Sequence, residues 1–196
     1  QVPATLAPWQ AELVLRGIFM LRRWELEWFY QGGAHRLFPD AWQPYRDLIP
    51  ESERGDMMLA YHKRLSSSDE TVQLAAAKAW SMWEGATSLL TPDADFLTAH
   101  EDPHFALSFA RIENHYFVNK GFFEVDEQLL RDVHKIRHIP AVIVHGRYDV
   151  VCPVQNAWDL HQAWPEAKLV ISPKSGHSAF EAENASALVE ATDAFR

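Results

Sequence analysis

Three short apolar segments, one near the start of the chain and two near its end, most strongly constrain the possible folds. They are residues 12–17 (ELVLRG), 141–146 (AVIVHG) and 168–173 (KLVISP). Each is a compact run rich in leucine or β-branched residues that stops at glycine or proline, which is typical of a strand covered on both faces. Because such strands occur in parallel sheets, we predict an α/β fold built on about three parallel strands.

The segments around these strands have helical spacing. Residues 154–164 have the length of a helix closed by Pro165, and residues 183–195 place apolar side chains on one helical face. From about residue 22 to residue 138 the apolar spacing is helical and no strand pattern competes with it. We therefore predict that residues 1–21 and 139–196 form a sheet-containing core portion, into which a helical cap domain at residues 22–138 is inserted.

Two helices of this insertion can be delimited from the sequence. Ser67 and Glu70 fit a capping box, with Ser67 as the N-cap of the first helix. Residues 127–138 predict the second helix, because their apolar side chains share one face and basic residues lie at its end. The apolar stripe expected along the first helix consists of Val72, Ala76, Ala79, Trp80 and Trp83.

Composition excludes several classes of function. The 196 residues carry a net charge of −9, which disfavours nucleic acid as a partner. No apolar run reaches the roughly 20 residues that a membrane span needs. The single cysteine, Cys152, excludes an internal disulfide and a four-thiolate zinc site, and it slightly favours a cytoplasmic location.

One motif imitates a metal site. Residues 100–104 (HEDPH) match the H-E-x-x-H pattern of zinc proteases, in which both histidines must lie on one face of a continuous helix. Pro103 removes a backbone donor and disfavours helical geometry at Asp102, so the two imidazoles should diverge. We expect a polar loop between helices here and no metal site.

A stronger combination follows the last two predicted strands. Asp149 lies three residues after Gly146, and His177 follows the third strand after a short loop. The carboxyl ends of parallel strands meet at one edge of a sheet, where ligands bind in open α/β sheets. An aspartate that orients a histidine base is part of a nucleophilic triad in the chain order Ser, Asp, His. An ordinary turn aspartate and loop histidine are the alternative interpretation.

The segments ELVLRGIF, AAAKAWSMWEGATS, FARIENHYFVNKGFF, VIVHGRYDVVCP and SPKSGHSAFE together resemble the proline iminopeptidases, which are serine hydrolases of the α/β-hydrolase fold with a helical cap. The resemblance runs from about residue 12 to the C-terminus, and it implies that Asp149 is the triad acid and His177 the triad base. It implies no cofactor and no metal.

The resemblance also implies a site for the amine of the substrate. Glu84 and Glu113 match cap carboxylates that bind the free N-terminal imino group, and Cys152 matches a cysteine near the proline pocket, beside which we also place Tyr148. Two carboxylates can pair with a secondary ammonium and reject a blocked amine. From the residues alone, Glu84 also fits a solvated helix end and Glu113 a surface helix.

The nucleophile motif of the family is missing from the sequence. Neither G-x-S-x-G nor a glycine-rich HGGPG-type oxyanion segment is present, and Ser178, the nearest match, is not expected to be the nucleophile. On the resemblance, residues 1–11 occupy the remainder of the nucleophile helix, and we expect that an upstream part has been removed.

Three hypotheses therefore remain open. The chain is part of a prolyl aminopeptidase acting on small peptides, or an esterase with a substitute nucleophile such as Cys152, or a non-catalytic remnant. In each case the exposed sheet edge could recruit a second copy or a complementary chain.

Overall fold

A computed structural model describes residues 12–196, and its sheet has three parallel strands. The strands are β1 (Leu13–Arg16), β2 (Ala141–Gly146) and β3 (Lys168–Ser172), and β2 lies in the centre. The predicted strands and their parallel direction are confirmed, with shifts of one residue at some ends. The expected remainder of a nucleophile helix at residues 1–11 lies outside the described residues.

Helices fill the chain between β1 and β2 and follow β2 and β3. In the described part of the chain, no helix is long and apolar enough to cross a membrane. Short 3-10 turns occur at Ala34–Arg36, Glu51–Glu53, Lys120–Phe122 and Val133–Lys135. The helices are α1 (Arg23–Leu26, continued by a π-helical turn at Glu27–Gly32), α2 (Pro39–Asp47), α3 (Met57–Leu65), α4 (Glu70–Ser88), α5 (Ala94–Glu101), α6 (Pro103–Val118), α7 (Gln128–Asp132), α8 (Val154–Ala163) and α9 (Ala182–Asp193).

The central strand is covered on both faces. All six residues of β2 are buried, and its side chains alternate between two apolar clusters. Ile143 packs in one cluster with Leu160 of α8, and Val144 packs in the other with Ala191 of α9. This double coverage explains why the sequence of β2 is an uninterrupted apolar run rather than an alternating one.

Aromatic side chains form most of a separate core among the inserted helices. Trp80 and Trp83 of α4 are at most 1% exposed, and the rings of Tyr45 and Tyr61 stack with their centroids 4.5 Å apart. Val72, expected on the same stripe of α4, is instead 38% exposed, because the first turn of the helix extends beyond this core. The core therefore depends on large rings from several helices.

The N-terminus of α4 differs from the capping-box prediction. Asp69, not Ser67, is the N-cap, and its carboxylate accepts the backbone N–H groups of Thr71 at 2.9 Å and Val72 at 3.4 Å. Ser67 accepts the backbone N–H of Asp69 at 3.1 Å. A carboxylate interacts more favourably than a hydroxyl with the positive end of the helix dipole, which explains why the helix begins at Glu70.

The helix predicted at residues 127–138 is shorter than expected. Only Gln128–Asp132 is α-helical, and Val133–Lys135 forms a 3-10 turn. Leu130, Val133 and Ile136 pack against the cluster on the α8 side of the sheet, whereas Leu129 is 42% exposed. So short a helix is unstable alone, and packing of its apolar residues determines the backbone.

The two capping residues can be compared by mutation. We expect Asp69→Ala to lower the free energy of unfolding by about 1 kcal/mol, because two backbone donors lose their acceptor. Ser67→Ala should cost clearly less, since Ser67 caps no helical N–H group. Urea unfolding followed by tryptophan fluorescence measures both values, and a larger loss for Ser67→Ala would contradict this assignment.

Candidate active site

Asp149 and His177, predicted as acid and base, are in direct contact. Asp149 lies in the turn after β2, where its Oδ1 accepts the backbone N–H of Cys152 at 2.8 Å. Its Oδ2 is 2.9 Å from Nδ1 of His177, in the loop after β3. Because the carboxylate accepts a hydrogen bond, Nδ1 of His177 carries the proton and Nε2 is left as the basic nitrogen.

Gly146 allows the loop after β2 and the loop after β3 to approach each other. A Cβ atom on Gly146 would lie 2.0 Å from the backbone oxygen of Gly176, a distance that no side chain tolerates. The backbone N–H of Tyr148 donates to the carbonyl of Ser175 at 3.0 Å and joins the same loops. Gly146, which ends the AVIVHG segment, is therefore a structural requirement of the acid–base contact.

The exit of β1 lies against His177. Gly17 has a φ of +53°, and a Cβ atom there would lie 3.2 Å from Cε1 of His177. Arg16 donates to the His177 carbonyl from Nη1 and to its Nε2 from Nη2, both at 3.2 Å. No hydroxyl or thiol of residues 12–196 hydrogen-bonds to this nitrogen, so a nucleophile must replace Arg16 there before His177 can act as its base.

Neither candidate substitute nucleophile is activated. Cys152 is 5% exposed, and burial, together with the charge of Asp149, raises the pKa of its thiol well above the ordinary value. The hydroxyl of Ser178 accepts the backbone N–H of Phe180 at 3.2 Å and makes no hydrogen bond to the His177 ring. A neutral buried thiol is a poor nucleophile, so the structure does not favour the esterase hypothesis.

The cap contributes two carboxylates. Glu84 lies near the end of α4, is 5% exposed, and accepts the hydroxyl of Tyr30 from the π-helical turn. Glu113 lies on α6 and accepts Nε1–H of Trp80 at 2.9 Å. Each carboxylate is thus held by an aromatic side chain with a neutral donor.

Burial makes the charged form of both carboxylates unfavourable. Burial raises the pKa of Glu84 well above its ordinary value, and the charges of Glu113 and Asp149 raise it further. Burial also raises the pKa of Glu113 to about 7, although its hydrogen bond from Trp80 opposes the shift. No lysine or arginine of the described chain forms an ion pair with either carboxylate. The pair therefore favours a proton or a cationic ligand.

A single cavity connects the cap carboxylates with His177, the base of the pair. Its volume is about 350 Å³, and His177, Cys152, Glu84 and Glu113 all line it. Tyr148, predicted beside the pocket, is 57% exposed and does not line the cavity. The remaining lining residues are Arg16, Gly17, Phe19, Glu25, Phe29, Tyr30, Ser88, His100, Phe109, Phe117 and Val151.

The HEDPH segment is interrupted as expected. Helix α5 ends at Glu101 and α6 begins at Pro103, with Asp102 as the N-cap between them. The interruption is a one-residue junction rather than a loop. His100 is buried and His104 is exposed. In residues 12–196, no group of three or more histidine, cysteine or acidic side chains could hold a metal ion.

Some residues of this site could not be found from the sequence. The sequence around Tyr30 contains no motif that indicates a functional site. In the structure Tyr30 lies in a π-helical turn, a feature that is common at functional sites. Trp80 was expected in the core, where it lies, but not as a donor to Glu113. Glu25 also lines the cavity, yet Arg22 neutralises its charge at 2.5 Å.

The raised pKa of Glu113 makes stability depend on pH. Because the folded-state pKa of about 7 exceeds the ordinary value of 4.5, the stability contributed by neutral Glu113 is present below pH 4.5 and is lost as the pH rises through 7. We expect Glu113→Gln, which stays neutral, to gain about 2 kcal/mol relative to the unsubstituted chain between pH 5 and pH 8.

Denaturant unfolding at the two pH values measures this gain. Glu101→Gln is a matched control, because Glu101 is an exposed carboxylate paired only with Lys78. Its difference from the unsubstituted chain should change little with pH. An equal difference for Glu113→Gln at both pH values would contradict the raised pKa.

Comparison with known proteins agrees with this geometry. An α/β-hydrolase family model described as TAP-like protein matches residues 122–195. The proline iminopeptidase of Xanthomonas citri is 72% identical over 94% of the chain and 59% of its own length. Those of Arabidopsis thaliana and Neisseria gonorrhoeae are 58% and 45% identical over 92% of the chain, and the matches cover 48% and 57% of these relatives.

The chain thus spans less than two thirds of the length of the curated relatives that it matches. The similarity nevertheless covers the sheet, the inserted helices and both halves of the candidate site. The chain is thus similar to the proline iminopeptidases over almost all of its own length, and its partial α/β-hydrolase fold agrees with this similarity.

Proposed function

We propose that this chain carries the substrate-binding cap and the acid–base pair of a serine peptidase that releases an N-terminal proline from small peptides. One observation carries the proposal. His177, which Asp149 contacts, lines the same cavity as buried Glu84 and partly buried Glu113, and neither of these two carboxylates has a cationic partner among the described residues. Acid–base chemistry and recognition of a cation are therefore available within one space.

The two carboxylates suit a secondary ammonium. One oxygen of Glu84 accepts from Tyr30 and one oxygen of Glu113 accepts from Trp80, and no described residue donates to the second oxygen of either. The ammonium of an N-terminal proline has two N–H groups and one positive charge, which match two acceptors and their negative charge. An acylated proline offers neither, so the site selects a free N-terminus.

The rest of the cavity suits the proline ring. Aromatic side chains supply much of its lining, namely Phe19, Phe29, Tyr30, Phe109 and Phe117. A five-membered hydrocarbon ring gains free energy when such rings remove it from water, while the charged nitrogen stays at the carboxylates. The combination favours proline over a residue with a long polar side chain.

The acid–base pair supplies the proton transfers of acyl transfer. Nε2 of His177 accepts the proton of a nucleophilic hydroxyl as its oxygen attacks the prolyl carbonyl carbon, and then gives that proton to the leaving amine. Asp149 stabilises the imidazolium formed between these steps. Water, activated by His177, then releases proline from the acyl-enzyme. The nucleophile and the oxyanion donors come from a segment outside the described residues.

The organisation of the complete protein follows from the same proposal. Residues 22–138 form the cap over a core portion at residues 1–21 and 139–196. Within the described residues, β1 pairs only with β2, so its other edge is free to pair with another strand. We propose that this strand belongs to the part that supplies the nucleophile. The low cysteine content favours the cytoplasm as the place of action.

Ligand binding tests the amine site without catalysis. We expect L-prolinamide to bind the chain and to change its tryptophan fluorescence, because Trp80 donates to Glu113. Glu84→Gln should weaken binding by roughly tenfold or more, since a charged hydrogen-bonded pair becomes a neutral one.

N-acetyl-L-prolinamide and Glu101→Gln are the controls for this experiment. The first keeps the ring and loses the charge, and the second changes an exposed carboxylate. Equal affinity for both ligands, or equal affinity of Glu84→Gln and the unsubstituted chain for prolinamide, would refute recognition of the ammonium.

Kinetics of a form that hydrolyses prolyl arylamides tests the acid–base assignment. We expect His177→Ala to lower kcat by roughly 10⁶-fold with little change in KM, because the base acts on the chemical step. His134→Ala, at an exposed histidine, should leave both constants unchanged. Undiminished kcat in His177→Ala would remove His177 from the mechanism.

A further inference from the structure

A second histidine, His145, lies directly beneath the turn that carries Asp149. It is the fifth residue of β2 and is 1% exposed. The backbone N–H of Ile18 donates to its Nδ1 at 3.1 Å. Its Nε2 lies 2.7 Å from the carbonyl oxygen of Cys152 and 3.3 Å from Oδ2 of Asp149. One ring nitrogen therefore contacts the backbone of Ile18, which follows β1, and the other contacts the backbone of Cys152, at the end of the turn that carries Asp149.

These contacts determine the tautomer of His145. Since Nδ1 accepts an N–H group, its lone pair is occupied and the proton of the neutral ring is on Nε2. Nε2–H then donates to the carbonyl of Cys152, with Oδ2 of Asp149 as a second, longer acceptor. A second proton could bind only if the bond from Ile18 were broken.

Burial also keeps His145 neutral. It lowers the pKa of the imidazole, the charge of Asp149 and the hydrogen bond to the Cys152 carbonyl oppose this shift, and His177 and Arg16 add to it. A neutral His145 leaves the charge of Asp149 available to His177. A protonated His145 would compete for that charge at the same oxygen.

Two contacts hold the acid turn at Cys152. The N–H of Cys152 donates to Oδ1 of Asp149, and the carbonyl of the same residue accepts from His145. On the other side of His145, Ile18 directly follows Gly17, which lies against the His177 ring. His145 thus joins Cys152, in the turn that carries Asp149, to Ile18, which follows the glycine that lies against His177.

We propose that His145 is a positioning residue for the Asp149–His177 pair. Its Nε2–H fixes the Cys152 carbonyl, and with it the turn that aims Oδ2 of Asp149 at Nδ1 of His177. This inference rests on the proposed roles of Asp149 and His177. It adds His145 to the two side chains of the acid–base pair, as a residue that touches neither substrate nor nucleophile.

The unsubstituted chain provides the first test. In a sample with ¹⁵N-labelled histidine, we expect His145 to show a proton on Nε2 and a bare Nδ1, and to remain neutral when the pH is lowered from 8 to 6. A proton on Nδ1, or titration of His145 at the ordinary histidine pKa, would overturn the proposal. This measurement requires no variant and no catalytic activity.

Two substitutions then separate the two ends of the His145 ring. The amide of Gln reaches the position of Nε2, whereas the shorter amide of Asn reaches only that of Nδ1. We expect His145→Asn to speed solvent exchange of the His177 Nδ1 proton by roughly tenfold or more, because the bond that fixes the acid turn is lost. His145→Gln should retain most of the protection.

His161→Asn is the matched control for this comparison. His161 on α8 also bonds a backbone carbonyl, that of Ala167 at 3.0 Å, but lies outside the site, so the exchange rate should not change. Equal exchange in His145→Asn and the unsubstituted chain, or equal loss of protection in both His145 variants, would refute positioning by His145. Failure to bind prolinamide would instead count against the proposed function and leave these exchange results unaffected.

Discussion

The site depends most on two carboxylates that have no cationic partner among the described residues, Glu84, which is buried, and Glu113, which is partly buried. Both line the cavity beside aromatic side chains of the inserted helices, and burial makes their charged forms unfavourable. Tyr30 and Trp80 each supply one neutral hydrogen bond, too little to compensate a buried charge. The empty site therefore holds protons that a bound cation can displace. In the proposed function, the same feature that costs stability creates affinity for an ammonium.

The acid–base pair on the sheet must face these carboxylates across one cavity. Buried Arg22, which lies where the chain leaves β1, joins the inserted helices to a helix that covers the sheet. Arg22 contacts Glu25 beside the cavity and reaches Asp159 and Asn156 of α8. The first inserted helix is thereby tied to the helix that covers the sheet. The fold thus holds the proposed amine site and the proposed acid–base pair in a fixed relation.

The sequence was sufficient to predict the strands and the contact between Asp149 and His177. The strands are short apolar runs ended by glycine or proline, and Asp149 and His177 follow two of them, so their meeting at one sheet edge was predictable. The capping box at Ser67 and the long helix at residues 127–138 were wrong, because a nearby carboxylate and tertiary packing decided those boundaries. The donors Tyr30 and Trp80 come from different helices, whose packing no sequence pattern specifies.

Counting the protons exchanged on ligand binding tests the central claim most directly. Calorimetric titration with L-prolinamide at pH 7, in two buffers of different ionisation enthalpy, gives that number. Because a cation between Glu84 and Glu113 stabilises their ionised forms, binding should release close to one proton per ligand. Binding without proton release, or with proton uptake, would show that the carboxylates are already ionised in the empty site and would contradict this account.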